Sequence, residues 1–241
     1  MKEINFSELF RKLFILNDTP GSEFFEGQEI SGIDPLKFLQ FWEEITTKIE
    51  RSNEQERYFI NNINLNEDLT DENIKELLQW KQQYFVKKYW KTLVEIKERI
   101  NNFRHRELSD PFGQEFIEFY NRITPISTEG PIIIFFIIHI AKPLFYPIID
   151  QHVVRAFKFF EEGVIHSVSN LKKEEFEKND FAFFKCYRKF FLELIDKCGL
   201  PVKDINSHRN VDRSLWSCGK YLKAKRDVKK LKKNWREYTS N

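Results

Sequence analysis

The stretch IIIFFIIHIAKPLFYPIIDQHVVRAF, residues 132–157, joins the most apolar run of the chain to an acidic residue, a histidine and an arginine. From Ile132 to Ile140 the only polar side chain is His139, and Lys142 and Pro143 follow soon after. A bilayer span needs about 20 apolar residues, so this run predicts a buried core element instead. Its periodicity fits a central strand and a fully buried helix equally well, because both are apolar on every side. Asp150 also has two readings. It either caps a helix beginning QHVVRAFKFF, its carboxylate accepting backbone N–H groups, or stands there as a chemical reagent.

The neighbouring segments favour helices. INFSELFRKLFIL sets Phe6, Leu9, Phe10, Leu13 and Phe14 at helical spacing ahead of Asp18-Thr19-Pro20-Gly21. DPLKFLQFWEEITTKIER offers Asp34 as cap and Pro35 at the first helical position, with Leu36, Leu39, Trp42 and Ile45 along one face. The stretch 69–103 opens with a Thr70-x-x-Asn73 capping pattern and continues through Leu77, Trp80, Tyr84 and Lys88, with a break expected near Gln83. QEFIEFYNRI is a short amphipathic helix, and TPISTEGP after it is a polar turn. Three later segments read as helices: HVVRAFKFFEEGV stopped by Gly163, KNDFAFFKCYRKFFLELIDKCG stopped by Gly199, and one from Val211 toward the end. Few segments alternate with period two and none forms a hairpin series, so the expected fold class is all-α, a single helical domain over 1–241.

Composition narrows the function classes. With 41% hydrophobic residues and 25 Phe in 241 residues, the chain has ample material for a core. Its 39 basic and 37 acidic side chains nearly cancel, so any electrostatic function must come from clustering. The strongest cluster is KYLKAKRDVKKLKKNWR, 220–236, which reads either as a solvated helix face or as a phosphate-backbone contact. The three cysteines form no Cys-x-x-Cys pair and no signal segment is evident, which predicts a cytoplasmic protein with structural thiols. His139 is expected to be a core histidine bonded to a neighbour. His105, His166 and His208 show no metal-site spacing, and no metal or cofactor is expected.

Asp150, His152, Val153 and Arg155 match, position by position, the Asp-x-His-Val-x-Arg segment around the catalytic aspartate of one enzyme superfamily. The chain resembles the helix-hairpin-helix DNA glycosylases, which are endonuclease-III-like and 8-oxoguanine-glycosylase-like proteins. The layout upstream is similar too: a turn at 124–131, an apolar helix at 132–141, a loop with Pro143 and Pro147, then the aspartate. The resemblance implies a two-lobed helical glycosylase-like fold with hairpin and catalytic segment at about 120–160, the apolar run being the hairpin's second helix. VDRSLWSCGKYLK also resembles the closing helix of small members.

By that resemblance Asp150 is the catalytic carboxylate. Cleaving a base from deoxyribose builds oxocarbenium character, and a carboxylate stabilises that charge or activates the attacking water. Ser127, Thr128 and Gly130 in the turn, His152 and Arg155 beside the aspartate, and Lys229, Lys230 and Lys233 in the tail are the expected DNA contacts. The expected partner is double-stranded DNA with an altered base, flipped into a cleft by a monomeric protein, nucleoid-associated if bacterial. Repair and defence against modified phage DNA are both settings for such an activity.

Several departures shape the expectation. The family's Leu-Pro-Gly-x-Gly hairpin is reduced to STEGP, a degenerate form with one glycine. Bifunctional members carry a Schiff-base lysine early in the next helix, where this chain has Pro131 and Ile132, so no lyase activity is predicted. The four closely spaced cysteines of iron–sulfur members are absent. The alternative to a monofunctional glycosylase is a catalytically inactive DNA-binding or interaction module of the same fold.

Overall fold

The computed structural model describes residues 35–49, 53–63, 65, 67–81, 83–126, 132–162 and 173–226. Ten α-helices run through them: α1 (Pro35–Ile49), α2 (Asn53–Ile63), α3 (Asp71–Lys81), α4 (Gln83–Glu95), α5 (Lys97–His105), α6 (Gln114–Ile123), α7 (Ile132–Ala141), α8 (Gln151–Glu162), α9 (Lys173–Lys197) and α10 (Ile205–Arg226). A single 3-10 turn, Thr124–Ile126, follows α6, and no strand occurs among the described residues. The fold class is all-α. The helix expected at the N-terminus, the Asp34 cap and the turn at 127–130 lie outside the described residues.

The apolar run is the helix α7, with every residue from Ile133 to Ala141 buried. A helix closes its own backbone hydrogen bonds, whereas a strand here would need neighbouring strands to pair with. α7 packs against α5 and α6, and Phe135 meets Phe184 of α9 with ring centroids 4.7 Å apart. Buried helix ends leave carbonyls without intrahelical partners, and cations supply the missing donors. Arg104 of α5 donates to Ile140 O at 2.7 Å, Glu67 O at 2.9 Å and Ile63 O, tying the ends of α7 and α2 together. Lys142 donates to Arg104 O at 2.8 Å and to Arg106 O, so its amine serves the end of α5.

α10 packs along α8 and α1. Ser214 donates from its hydroxyl to Leu39 O at 3.0 Å, and Trp42 packs on Tyr221 at 5.4 Å. Where α10 crosses the start of α8 the backbones nearly touch. A Cβ at Gly219 would lie 1.9 Å from the His152 carbonyl oxygen, so only glycine fits. Asp204 caps α10, its carboxylate accepting from Ser207 N at 2.9 Å and Asn206 N at 3.2 Å. At the end of α9, Gly199 takes φ 65°, with Leu200 N donating to Ile195 O at 3.1 Å and Gly199 N to Asp196 O at 2.9 Å. This Schellman closure is the stop expected at Gly199.

Several expectations need correction. The stretch 69–103 forms three helices: the break near Gln83 is present, and a second falls at Ile96, which adopts φ −102° and ψ 7°. The first break resets the helical phase, which leaves Tyr84 exposed although it continues the Leu77–Trp80 spacing. In α1 the buried face is Phe38, Leu39 and Trp42 while Leu36 is exposed, because the larger aromatic pair takes the core. α2 is polar over most of its length, with Tyr58, Phe59, Ile60 and Ile63 as its apolar residues, and went unpredicted, and α9 and α10 each begin earlier than expected. Cys198 and Cys218 are buried, but Cys186 is exposed on α9 and packs no core.

Candidate functional site

Pro147 to Asp150 carry the chain from the end of α7 to α8 without regular structure. Asp150 then caps α8: its Oδ1 accepts from the backbone N–H of His152 at 2.7 Å and of Val153 at 3.1 Å. Its other oxygen, Oδ2, lies 3.5 Å from the Lys81 ammonium in the last turn of α3. The two side chains keep 16% and 11% of their surface exposed, so the pair is sheltered but still reached by solvent. Burial pushes the carboxyl upward, but the Lys81 charge, His152 and the two backbone amides outweigh it and hold the pKa below the ordinary carboxylate value. Asp150 is therefore ionised at neutral pH, a fixed negative charge in a partly dry setting.

His152 sits in the first turn of the same helix. Arg155, donor only, gives a hydrogen bond from Nη1 to His152 Nδ1 at 3.1 Å, which leaves the imidazole proton on Nε2. Burial lowers the His152 pKa to about 4; nearby Asp150 works the other way, and Arg155 and Lys223 add to the lowering. His152 thus faces its surroundings as a neutral N–H donor. Arg155 is only 4% exposed and also donates to Gly219 O at 3.0 Å. Its guanidinium ties α8 to α10 from inside.

Beneath Asp150 lies a layer that combines buried polar groups with aromatic rings. The guanidinium of Arg209 stands 4.8 Å from the Phe59 ring centroid and 4.9 Å from that of Trp80, and it is paired with Asp212. Tyr187 is fully buried, and desolvation followed by the charges of Asp212 and Asp150 raises its pKa well above normal. His139 donates from Nδ1 to Tyr146 O at 2.7 Å and stacks on Phe59, the core histidine expected from the sequence. Burial drives its pKa down to about 3.

The structure thus brings together Asp150, His152 and Arg155. Ser127, Thr128, Gly130, Lys229, Lys230 and Lys233 lie outside the described residues. Lys81 was missed by the sequence reading. It ends an ordinary amphipathic helix far upstream, and nothing in its local pattern marks it as the partner of Asp150. Trp216 meets the His152 ring and Lys220 stands over the indole, a grouping that the sequence does not single out.

Among the described residues no group of three or more His, Cys, Asp or Glu side chains converges to hold a metal, and no helix is long and apolar enough to cross a membrane. The chain matches no family model, no curated protein and no solved structure.

Proposed function

We propose that the protein is a monofunctional DNA glycosylase with the two-lobed helix-hairpin-helix architecture, releasing an altered base from DNA by hydrolysis of its N-glycosidic bond. One observation carries this reading. Asp150, within the Asp-x-His-Val-x-Arg segment, is an ionised and solvent-reachable carboxylate fixed at the first turn of a helix. A fixed carboxylate of this kind stabilises positive charge on the deoxyribose as the base departs, or takes the proton of the incoming water. Because its Oδ1 is held by two amides, the charge needs no reorganisation during the reaction.

Incubation with duplexes carrying a panel of altered bases, followed by alkaline cleavage, detects the abasic product. Asp150→Asn keeps a good helix cap and removes the charge, so it is expected to fold and to lose about 100-fold or more of the rate. Activity that persists in this variant would overturn the mechanism. Hydrolysis without imine chemistry predicts no protein–DNA adduct on borohydride reduction. An adduct abolished by Lys81→Met would replace hydrolysis with a lyase reaction.

A second reading has its own support. Both carboxylate oxygens of Asp150 already have structural partners, which suits an inactive DNA-binding module of the same fold. Salt-dependent DNA binding with no base released from any duplex would favour it.

A further inference from the structure

Trp216, Lys220 and Lys223 follow one another at steps of four and three along α10, so they share one face of that helix. The close crossing at Gly219 presses this part of α10 against the first turn of α8. The result is a small cluster beside the cap that holds Asp150. The His152 ring meets the Trp216 indole edge to face at 5.4 Å. The Lys220 ammonium stands over the indole, 4.6 Å from its ring centroid, and the Lys223 charge reaches His152.

We infer that Trp216 is the stacking surface for a nucleobase of the DNA strand that enters at Asp150, with Lys220 and Lys223 taking the adjoining phosphates. The inference rests on the proposed reading of Asp150 and names the residues that would receive its substrate. Trp216 is only partly buried, and a ring that holds an ammonium over its face is equally suited to a flat, polarisable base. Among the described residues, Lys220 and Lys223 bring two ammonium groups to the face of α10 that carries Trp216, which disfavours a cationic ligand there. The ligand that suits both the ring and the two amines is an anion bearing a planar heterocycle, which is the chemistry of a nucleotide. Burial and the Lys223 charge lower the Lys220 pKa to about 8, a repulsion that a phosphodiester between the two amines relieves. On binding, the base displaces the Lys220 ammonium from the indole, and the freed amine turns to the backbone.

The test uses the full chain in the Asp150→Asn background, titrated into fluorescein-labelled single-stranded DNA of mixed sequence, with wild-type base release measured in parallel. Trp216→Leu is expected to weaken binding about tenfold, and Trp216→Phe, which keeps an aromatic face, much less. Lys220→Gln and Lys223→Gln are each expected to lower the slope of log affinity against log salt by about 0.7. Tight binding by a stably folded Trp216→Leu protein would overturn the inference. If that variant does not fold, unchanged salt slopes in both lysine variants overturn it. The two readings separate cleanly. Base release by wild type, combined with unaltered binding by Trp216→Leu, sinks the stacking surface and leaves the enzyme. Weakened binding by Trp216→Leu, with no base released from any duplex, sinks the enzyme and leaves a strand-binding surface.

Discussion

Asp150 is held by opposing forces, and the balance among them can be measured. Burial favours its neutral form, while the Lys81 ammonium, His152 and two backbone N–H groups favour the anion, and the anion wins. Removing Lys81 takes away the largest of the stabilising influences. Lys81→Met is therefore expected to raise the Asp150 pKa, moving the acid limb of the base-release profile to higher pH, with the carboxyl carbon shift in NMR following the same titration. An acid limb that stays in place would mean that His152 and the two amides suffice to keep Asp150 ionised. The carboxylate as a cap was legible in the sequence, since Asp before an amphipathic helix is a common capping pattern. Its partner was not, because Lys81 and Asp150 are far apart in the sequence and meet only in the folded chain.

At the scale of the element, the crossing of α8 and α10 fixes the geometry of the site. Gly219→Ala tests it by setting two effects of opposite sign against each other. Alanine favours the helix by about 1 kcal/mol, yet its Cβ would lie 1.9 Å from a backbone oxygen that cannot move without shifting α8. Overpacking of this kind costs about 3 kcal/mol, so the clash outweighs the propensity and the urea midpoint falls. Because α8 carries Asp150, DNA binding is expected to weaken as well. The cap of α3 provides a milder comparison. Thr70 and Asn73 bond reciprocally, Asn73 N to Thr70 Oγ1 at 3.1 Å and Thr70 N to Asn73 Oδ1 at 3.0 Å, as the Thr-x-x-Asn pattern predicted. Thr70→Ala is expected to cost about 1 kcal/mol, read from the same denaturation curves. Caps such as these involve residues close in sequence, which is why they could be read there. The Gly219 crossing joins residues far apart and left no sequence signal beyond a glycine within an otherwise helical stretch.

For the whole molecule, the buried histidines set how stability responds to acid. Burial lowers His139 to about 3 and His152 to about 4, from an ordinary value of 6.5. The unfolded chain takes up protons below 6.5 that the folded chain refuses until near 4 and 3. Stability is thus full above that value and falls as the pH drops through this window. Asp150 and Asp204 act in a lower range. Their folded pKa values lie below the ordinary 3.8, so the stability they contribute is present above it and lost beneath. Thermal melts across pH are expected to show both limbs, and His139→Asn to flatten the upper one; an unchanged upper limb in this variant would assign it to other groups. By itself the sequence determined that the chain is helical, that the run at 132–140 is buried and that Asp150 begins a helix. Each of these depends on residues within a few turns of one another, through periodicity, caps and stops. Tertiary structure alone decided the burial of Arg155 and the meeting of Lys81 and Trp216 with the segment around Asp150. Those follow from which faces of distant helices pack together, a choice made by the summed burial of many side chains that no local pattern encodes.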